Sequence, residues 1–457
     1  MTQTICCIGA GYVGGPSMAV MADRCPGVDI TVVDVDQARI DAWNNLSGEG
    51  PPIYEPGLAE VLGRVGGRNL HFSTDVTTAI RQADMVFLSV NTPTKSYGHG
   101  AGEAADLSFI EQAARQIANV AQGATIVVER STLPVRTADV LREILAGGAG
   151  QSFEILSNPE FMAEGTAVAD LESPDRVLVG GHCPQAIEEL AEIYGHWVPQ
   201  ERILRTNLWS AELAKLTANA FLAQRVSSIN TIAALCEASG ADVREVAAAI
   251  GSDRRIGADF LQPGPGFGGS CFKKDLLNLA YLCGHFGLEP VAAYWRSVVE
   301  INSWSQRRIA RLITRSLFGT LRGKTIAVLG FAFKADTNDT RESPAIGICR
   351  ELLAEGAYLH IHDPRVSRQA VEQDLGLSSG HGDGARIQVG SDLKAAVEGA
   401  DAAVILTDWA DYRQLPWLQL AARMRSPGWV FDSRNATNLA DAAAAGLQTW
   451  CIGQGGL

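Results

Sequence analysis

The chain has 457 residues, of which 46% are hydrophobic, and its formal net charge at pH 7 is -13. Its length exceeds that of one ordinary core, so we expect two or three domains. The acidic balance excludes nucleic acids and anionic membranes as general partners, because both bind basic surfaces. An anionic substrate would therefore need locally placed lysines, arginines and helix N-termini.

The nine cysteines are scattered along the chain, and none forms a CxxC pair. This spacing predicts neither a zinc site nor a disulfide framework, and it favours a reducing, cytoplasmic compartment. The apolar run near the N-terminus has no basic segment before it and is soon interrupted by glycines. We therefore expect neither a signal peptide nor a membrane span.

The first predicted elements form a strand, a turn, a helix and a second strand. An apolar strand at residues 4–8 leads into the GAGYVG motif at 9–14, and a helix follows over 16–22. A second apolar run at 30–33 ends at Asp34. A GxGxxG motif alone is weak evidence, but this order of elements with a terminal acid indicates a dinucleotide site.

Each residue of this fingerprint has an expected role. Gly9 and Gly11 would let the backbone approach a pyrophosphate at the helix N-terminus, and Gly14 would allow close helix packing. Asp34 would bind the ribose hydroxyls, which favours NAD over NADP. The alternative is a glycine turn that holds no ligand.

Further apolar runs alternate with helical stretches, which is the pattern of a doubly wound parallel sheet. In such sheets, ligands bind on the loops at the carboxyl ends of the strands. The predicted strands cover residues 85–90, 125–128, 153–156 and 176–179, and the predicted helices cover residues 107–120 and 137–145.

Three loops follow these strands, at residues 91–94, 130–132 and 157–165. The last loop contains Glu160 and Glu164, two carboxylates beside the expected nicotinamide position. One of them could activate water as a general base. For each carboxylate the alternative is a structural role in a turn or at the start of a helix.

Residues 208–239 contain no proline or glycine and are rich in Ala and Leu, so they predict one long helix that joins two domains. Lys215 and Asn219 share one face of this helix. A lysine in that setting is usually exposed, whereas an asparagine one turn away among apolar neighbours favours an inward polar pair. Further helices are predicted over 276–286 and 294–318, and such a helical layer is a natural dimer surface.

The sequence GPGFGGSCFKKD at residues 264–275 joins a glycine-rich backbone to a thiol, two lysines and a carboxylate. That combination suggests a reactive cysteine at Cys271. Taken alone, such a cysteine is more often a small buried hydrophobe. Only the two flanking α/β domains favour a chemical role.

Residues 324–330 restart a strand and turn, and the last part of the chain predicts a second Rossmann-type unit. Its first turn, GFAFK, has one glycine, so we expect no second NAD there. Lys334 and Arg434 follow strand ends, where they would offer positive charge to a phosphate. Residues 378–384 predict a surface loop in which His381 has no assigned role. Further strands are predicted at residues 358–363, 402–407 and 428–432, with a helix over 344–354.

Taken in order, the fingerprint, the NPEFMAEGT loop, the lysine-bearing helix, the GFGGSCFKKD stretch and the GFAFK turn resemble the UDP-glucose/GDP-mannose dehydrogenase family. The resemblance covers nearly the whole chain. It is strongest for the animal-like members that act on UDP-glucose. The runs that carry this likeness are residues 8–15, 52–58, 90–97 and 220–230.

The resemblance implies an α/β fold of two Rossmann-like doubly wound domains, joined by a long helix and a central helical dimerisation layer. The partners implied are NAD, UDP-glucose and further copies of the chain, as a dimer or a dimer-based hexamer, and no metal is implied. The NAD-binding domain would comprise residues 1–205, the connecting helix and central domain residues 206–321, and the UDP-sugar-binding domain residues 322–457.

The family oxidises the C6 alcohol of a nucleotide sugar to a carboxylate with two NAD+. By resemblance, Cys271 attacks the aldehyde intermediate to form a thiohemiacetal, a second oxidation gives a thioester, and water hydrolyses it. The chemistry of the residues agrees, because an aldehyde donates hydride readily only after a nucleophile adds. The nearby Lys215 and Lys274 would favour the thiolate.

The resemblance also implies roles for single residues. Lys215, Asn219 and Asp275 would form the polar cluster at the reacting carbon, with Lys215 stabilising the oxyanion and Asp275 assisting proton removal. Glu160 would be the base for thioester hydrolysis, and Thr132 belongs with the catalytic residues. The cofactor would contact Gly9, Gly11, Tyr12, Val13, Gly14, Asp34, Arg39, Thr92, Thr132, Glu164 and Lys274. The substrate would contact Glu160, Phe161, Lys215, Asn219, Arg255, Phe260, Phe267, Gly268, Lys334 and Arg434.

Two positions and two rival functions complete these expectations. Arg255 matches an arginine that reaches the substrate of a neighbouring subunit, which implies an obligate oligomer. Lys273 stands where animal members usually carry an uncharged residue, and its charge could act on Cys271.

The two rival functions are a β-hydroxyacid dehydrogenase and an NAD-responsive scaffold. A β-hydroxyacid dehydrogenase would form one NADH per substrate and would not need Cys271. A scaffold would bind its ligands without turnover.

Overall fold

The computed structural model describes residues 3–45, 50–148, 151–376 and 386–455. The predicted surface loop at 378–384, with His381, lies outside these residues. The chain divides into two compact units, and the division into three domains stays a prediction. The first unit consists of Met1–Ala218 and Leu277–Leu288, and the second consists of Asn219–Leu276 and Glu289–Leu457.

A sheet of eight strands, counted over the described residues, forms the centre of the first unit. The strands are β1 (Gln3–Ile8), β2 (Val28–Val33), β3 (Leu70–Ser73), β4 (Met85–Leu88), β5 (Thr125–Glu129), β6 (Phe153–Ser157), β7 (Val177–Gly181) and β8 (Ile203–Thr206). Their order is β3-β2-β1-β4-β5-β6-β7-β8. The helices are α1 (Gly14–Arg24), α2 (Gln37–Asn44), α3 (Leu58–Val65), α4 (Val76–Gln82), α5 (Ser108–Val120), α6 (Thr137–Ala146), α7 (Ala167–Glu172) and α8 (Pro184–Tyr194).

The doubly wound arrangement is confirmed, but one pair of strands departs from the parallel sheet that the sequence predicted. Within the described part of the chain, β6 and β7 pair antiparallel, and the other neighbouring strands of this sheet are parallel. The connection through α7 returns the chain to the sheet at the edge where β6 ends, which reverses the direction of β7. The loops after β1, β4, β5 and β6 still meet at one edge, because these strands are parallel.

The central strands of this sheet are buried on both faces, as expected when helices cover both sides. Ile5, Cys6, Cys7 and the four residues of β4 are 0% exposed. Burial raises the pKa of the Cys7 thiol to about 11. The adjacent cysteines of β1 are therefore packing residues.

A second sheet, with six strands among the described residues, forms the centre of the second unit. The strands are β9 (Thr325–Leu329), β10 (Tyr358–His362), β11 (Ile387–Gly390), β12 (Ala402–Ile405), β13 (Trp429–Asp432) and β14 (Gln448–Cys451). They are parallel and lie in the order β11-β10-β9-β12-β13-β14, which is the Rossmann order with its reversal between β9 and β12. The second Rossmann-type unit is thus confirmed.

Nine α-helices, counted over the described residues, lie in the middle and last parts of the chain. They are α9 (Leu208–Ser239), α10 (Val243–Gly251), α11 (Phe272–His285), α12 (Glu289–Ser316), α13 (Pro344–Ala354), α14 (Arg368–Leu375), α15 (Leu393–Val397), α16 (Trp417–Ala421) and α17 (Leu439–Ala444). Of these helices, α9 and α12 are long. Among the described helices, none combines the length and the apolar character that a membrane span requires.

The predicted bounds of α9 are confirmed, since no residue in the segment breaks a helix. In contrast, α11 begins at Phe272 rather than at the predicted residue 276. The lysine pair and Asp275 lie on its first turn. Cys271 therefore stands directly before a helix N-terminus.

Candidate active site

The three fingerprint glycines of the first unit differ in what surrounds them. An added Cβ at Gly9, whose φ is +111°, would collide with the carbonyl oxygen of Ser89, and one at Gly14 would collide with the carbonyl oxygen of Gly9. An added Cβ at Gly11 would meet no described atom within 4 Å. Gly9 and Gly14 therefore leave space for neighbouring protein atoms, whereas Gly11 faces open space beside the N-terminus of α1. Within the described structure, no side chain caps this helix N-terminus.

Asp34 is fixed at the end of β2 by three donors. Its Oδ2 accepts hydrogen bonds from the backbone N–H of Ala10 and from Nη1 of Arg39, both at 3.0 Å. Its Oδ1 accepts the N–H of Asp36 at 3.1 Å. A fixed carboxylate at this position suits a ribose diol and repels a 2′-phosphate, so these residues fit NAD.

Glu55 is a functional candidate that the sequence reasoning did not identify. It is 6% exposed, and its Oε1 accepts a hydrogen bond of 2.9 Å from the hydroxyl of Tyr12. The same carboxylate accepts the backbone N–H groups of Gly165 and Ala167. Glu55 thus ties the fingerprint turn to the loop that carries Glu164, through contacts that no local spacing signals.

The loops after β4 and β5 are joined by hydroxyl groups. The Oγ1 of Thr92 donates to the carbonyl oxygen of Thr132 at 3.1 Å. The Oγ of Ser131 donates to the carbonyl oxygen of Val90 at 2.6 Å. The structure thereby brings together Thr92 and Thr132, which were both predicted on the cofactor side.

The loop after β6 holds Glu160 in a buried ion pair with Arg130. The side chain of Arg130 is 4% exposed and that of Glu160 is 13% exposed. The guanidinium also donates to the side-chain oxygen of Asn158 at 2.6 Å and to the hydroxyl of Tyr194 at 3.0 Å. Arg130 belongs to one of the three strand-end loops that were predicted to bind ligands, but no motif or spacing singled out this residue.

Lys215 lies against Phe161 in the first unit. Its Nζ is 5.4 Å from the centroid of the Phe161 ring, and the guanidinium of Arg176 is 3.9 Å from the same centroid. Lys215 is 8% exposed. The alternative of a solvent-exposed lysine is therefore wrong, and the inward polar residue is confirmed.

In the second unit, a buried polar cluster lies on the first turn of α11. Nδ2 of Asn219 donates to Oδ2 of Asp275 at 2.6 Å, and Nζ of Lys274 is 3.1 Å from Oδ1 of Asp275. Asn219 and Asp275 are 5% and 1% exposed. The structure thus brings together three residues that were predicted at the site.

Cys271 occupies the position before this turn. The nine cysteines all lie in the described residues, and Cys271 is the exposed one among them. The backbone N–H of Asp275 donates to the carbonyl oxygen of Cys271 at 2.8 Å, so Cys271 stands at the N-terminal, positive end of the α11 dipole. The alternative of a buried packing cysteine is therefore wrong.

Two buried asparagines hold the glycine-rich loop before Cys271. Oδ1 of Asn302 accepts the N–H of Phe267 at 2.8 Å, and its Nδ2 donates to the carbonyl oxygen of Phe267 at 3.0 Å. Oδ1 of Asn230 accepts the N–H of Gly264 at 2.9 Å. Phe267 itself is 6% exposed. Neither asparagine was predicted, because each is more than thirty positions from its partner along the chain.

The glycines of this loop are required by neighbouring protein. An added Cβ at Gly268 would lie 2.8 Å from Cβ of Phe333 and 2.7 Å from the carbonyl oxygen of Glu342. An added Cβ at Gly269, whose φ is +81°, would lie 3.0 Å from the ring of Phe333. The loop before Cys271 therefore packs closely on the first turn of the second Rossmann-type unit.

Arg434 and Lys334 follow the carboxyl ends of β13 and β9, two strands of this unit that β12 separates in the sheet. Nε of Arg434 donates to the carbonyl oxygen of Leu406 at 2.9 Å, and its Nη2 donates to that of Phe333 at 3.1 Å. Burial lowers the pKa of the Arg434 guanidinium, although the negative charges of Asp408 and Asp432 act to raise it. An added Cβ at Gly264 would lie 3.0 Å from Nη1 of Arg434, so the Cys271 loop begins beside this arginine.

Lys273 has a partner of its own. Its Nζ is 2.8 Å from Oε2 of Glu342, and its side chain is 40% exposed. Glu342 has a φ of +52°. The charge that departs from the family pattern is therefore matched by a carboxylate next to the Cys271 loop.

Arg255 and Phe260 are predicted substrate residues on the surface of the second unit. The side chain of Arg255 is 89% exposed and pairs with Asp253 at 2.6 Å. Phe260 is 42% exposed, has a φ of +60°, and its ring centroid is 6.4 Å from that of Phe272. Their roles toward substrate stay predictions.

The predicted site residues are thus distributed over both units, and over the described residues no group of three or more His, Cys, Asp or Glu side chains could hold a metal ion. The first unit contains Gly9, Gly11, Tyr12, Val13, Gly14, Asp34, Arg39, Thr92, Thr132, Glu160, Phe161, Glu164 and Lys215. The second contains Asn219, Arg255, Phe260, Phe267, Gly268, Cys271, Lys274, Asp275, Lys334 and Arg434.

Comparison with known proteins gives three consecutive matches to the UDP-glucose/GDP-mannose dehydrogenase family. Its NAD binding domain matches residues 3–198, its central domain residues 209–304 and its UDP binding domain residues 327–439. UDP-glucose 6-dehydrogenase 1 of Oryza sativa subsp. japonica is 51% identical, over 98% of this chain and 97% of its own. UDP-glucose 6-dehydrogenase of Mus musculus is 52% identical, over 98% of this chain and 91% of its own.

Solved structures show the same fold. A UDP-glucose dehydrogenase from the archaeon Pyrobaculum islandicum is 30% identical with a TM-score of 0.84, covering 100% of this chain and 98% of that one. A UDP-D-ManNAc dehydrogenase from Pyrococcus horikoshii is 27% identical with a TM-score of 0.82, covering 100% of both chains. Plant and animal relatives are about equally similar, so the likeness is not confined to the animal type. The chain belongs to the UDP-glucose/GDP-mannose dehydrogenase family.

Proposed function

We propose that this chain oxidises the C6 alcohol of UDP-glucose to the carboxylate of UDP-glucuronate, with two NAD+ consumed per sugar. The observation that carries the proposal is the exposed thiol of Cys271 at the start of α11, in the unit that also contains Lys334 and Arg434. An oxidation through a covalent intermediate needs such a thiol, whereas a two-electron dehydrogenase does not. The rice and mouse relatives, both UDP-glucose 6-dehydrogenases, support the same substrate.

Two oxidations precede hydrolysis. The first removes a hydride from C6 and the proton of its hydroxyl, while Lys215 stabilises the developing alkoxide and Asp275 helps to remove the proton. Cys271 then adds to the aldehyde carbon, and the new C–S bond gives a thiohemiacetal. The second oxidation removes the hydride from this carbon and the proton from its oxygen, which leaves a thioester. Bound NAD+ supplies the hydride acceptor for each oxidation.

Glu160 acts in the hydrolysis of the thioester. It takes a proton from water, whose oxygen adds to the thioester carbon. The C–S bond breaks, Cys271 leaves as a thiolate, and the sugar acid ionises to a carboxylate. The guanidinium of Arg130 forms a buried ion pair with this carboxylate.

The binding residues follow the same division. Gly11 at the N-terminus of α1 and Asp34 with Arg39 would hold the pyrophosphate and the adenosine ribose of NAD. Lys334 and Arg434 would hold the diphosphate of the sugar nucleotide by charge. Further cofactor contacts are proposed for Tyr12, Val13, Thr92, Thr132, Glu164 and Lys274, and further substrate contacts for Phe161, Asn219, Phe260, Phe267 and Gly268.

The finer partners of the chain belong to the same proposal. Arg255 reaches the substrate bound to a neighbouring copy, and its 89% exposed side chain supports this role. The working form is then a homo-oligomer, a dimer or a dimer-based hexamer, in the cytoplasm. Mixing Arg255→Ala chains with Cys271→Ser chains should restore part of the activity through hybrid sites. Absence of recovery would confine Arg255 to its own subunit or to no catalytic role.

The test of the function is the amount of NADH formed per sugar, measured on a panel of UDP- and GDP-sugars. We expect two NADH per UDP-glucose and much slower turnover of the N-acetylated UDP-sugars and of GDP-mannose. The fold alone does not select the sugar, because a UDP-D-ManNAc dehydrogenase shares it. One NADH per sugar would indicate a two-electron dehydrogenase, and binding without turnover would indicate a scaffold.

A further inference from the structure

We infer that Arg130 is a positioning residue for Glu160 and holds its carboxylate in the orientation that accepts a proton from the hydrolytic water. This inference rests on the proposed function, because it assumes the thioester that Glu160 helps to hydrolyse. It deepens that function by assigning a residue to the last chemical step. Arg130 directly follows β5 and forms a buried ion pair with Glu160.

The contacts of Glu160 show how little freedom its carboxylate has. Oε1 accepts the backbone N–H groups of Phe161 at 2.6 Å and Met162 at 3.0 Å. Oε2 pairs with Nη2 of Arg130 and contacts the hydroxyl of Ser17 at 3.4 Å. A carboxylate has about four lone-pair sites, and these four contacts address all of them. The Ser17 contact is the longest, so it is the one that a water molecule can replace.

The other side of the guanidinium is anchored independently of Glu160. Nη1 of Arg130 donates to the side-chain oxygen of Asn158 at 2.6 Å and to the hydroxyl of Tyr194 at 3.0 Å. The Tyr194 hydroxyl donates to the same Asn158 oxygen at 2.7 Å, and Nδ2 of Asn158 donates to the carbonyl oxygen of Leu178 at 2.8 Å. The planar fork of an arginine spans both groups, which a lysine cannot do.

The charges of the network agree with this geometry. Burial alone would lower the pKa of Arg130, but the charge of Glu160, with smaller effects of Tyr194 and Cys7, raises it instead. Burial raises the pKa of Tyr194 to about 12, so its hydroxyl remains a neutral hydrogen-bonding partner. Removing the guanidinium would leave a nearly buried carboxylate without its cation, which costs free energy.

The test compares Arg130→Met, Arg130→Lys and Glu160→Gln with wild type by rapid mixing of NAD+ and UDP-glucose. We expect Arg130→Met to keep the burst of two NADH per site but to slow hydrolysis by about 10–100-fold, since a general base contributes roughly 100–10,000-fold. The thioester on Cys271 should accumulate and be visible in the mass of the quenched protein. Glu160→Gln should give the same pattern, and Arg130→Lys a smaller effect of the same kind.

Controls separate positioning from folding and from failure of the function itself. Arg205→Met removes an arginine on β8 that pairs with Glu188 and should behave as wild type. If Arg130→Met does not fold, Arg130→Lys decides the question, and hydrolysis at the wild-type rate in that variant would overturn the inference. A variant that slows the first oxidation equally and accumulates no thioester would overturn it as well. A wild-type chain that forms fewer than two NADH would instead overturn the proposed function.

Discussion

Single substitutions of the fingerprint glycines distinguish a glycine that leaves space for a ligand from one that leaves space for neighbouring protein atoms. At Gly14, an added Cβ would meet the carbonyl oxygen of Gly9 and lie 3.2 Å from the sulfur of Cys7. At Gly11, it would meet no described atom within 4 Å. Gly14→Ala should therefore lower stability, whereas Gly11→Ala should lower the affinity for NAD.

The expected magnitudes follow from these surroundings. Overpacking a rigid site costs about 1–3 kcal/mol, which in a unit of this size lowers Tm by roughly 2–12 °C. Gly11 has no left-handed φ, so Gly11→Ala should leave Tm unchanged or raise it slightly. Its methyl group would occupy the space of the pyrophosphate, and we expect KM for NAD+ to rise about tenfold, equivalent to about 1.4 kcal/mol.

The assay measures Tm without ligand and KM for NAD+ in Gly11→Ala, Gly14→Ala and Gly27→Ala. Gly27 is the matched control, because an added Cβ there also meets no described atom within 4 Å and no cofactor role is assigned to it. Unchanged KM in Gly11→Ala would refute the placement of the pyrophosphate. A lowered Tm in the same variant would refute the claim that Gly11 faces open space.

Three further predictions concern Glu129, Asn302 and Lys273. Burial, together with the charge of Glu212, raises the pKa of Glu129 well above its ordinary value, so the folded state keeps a proton that the unfolded chain releases above about pH 4.3. Stability should therefore fall as pH rises. Profiles of Tm from about pH 5 to about pH 9 should show this fall in wild type and in the exposed control Glu154→Gln, but not in Glu129→Gln. Parallel Tm profiles in the three proteins would contradict the prediction. Asn302→Ala leaves the backbone N–H and carbonyl oxygen of Phe267 buried without partners, which should lower the free energy of unfolding by about 1–3 kcal/mol for each group and should also lower kcat. Chemical unfolding and steady-state kinetics measure these two effects. An unchanged unfolding midpoint would contradict the role of Asn302 in holding the loop before Cys271. Lys273→Gln should change kcat and the alkylation rate of the thiol by less than about twofold, since the lysine is paired at the surface, and a tenfold slower alkylation would show that its charge does act on the thiol.

The parts of the fold that local sequence determines were predicted well. The fingerprint specifies a strand, turn and helix within a few positions, and α9 extends from Leu208 to Ser239 because nothing in that segment breaks a helix. The parts that depend on distant partners were not predicted. Whether Lys215 is buried depends on Phe161 and Arg176, which lie on other segments.

The residues that the sequence did not reveal share one physical property. Arg130, Glu55 and Asn302 each act through side chains or backbone groups that are about thirty to more than a hundred positions away. No periodicity or spacing encodes such a contact. The glycines before Cys271 were predicted, but their neighbour Phe333 became visible only in the folded chain.

The measurement that tests the central claim most directly is the yield and rate of NADH from UDP-glucose in wild type, Cys271→Ser and Cys283→Ser. Wild type and Cys283→Ser, the matched control from the same helical segment, should form two NADH per sugar. Cys271→Ser should turn over far more slowly and accumulate material at the aldehyde level, because serine is a much weaker nucleophile than a thiolate. Two NADH per sugar at the wild-type rate in Cys271→Ser would contradict the covalent mechanism.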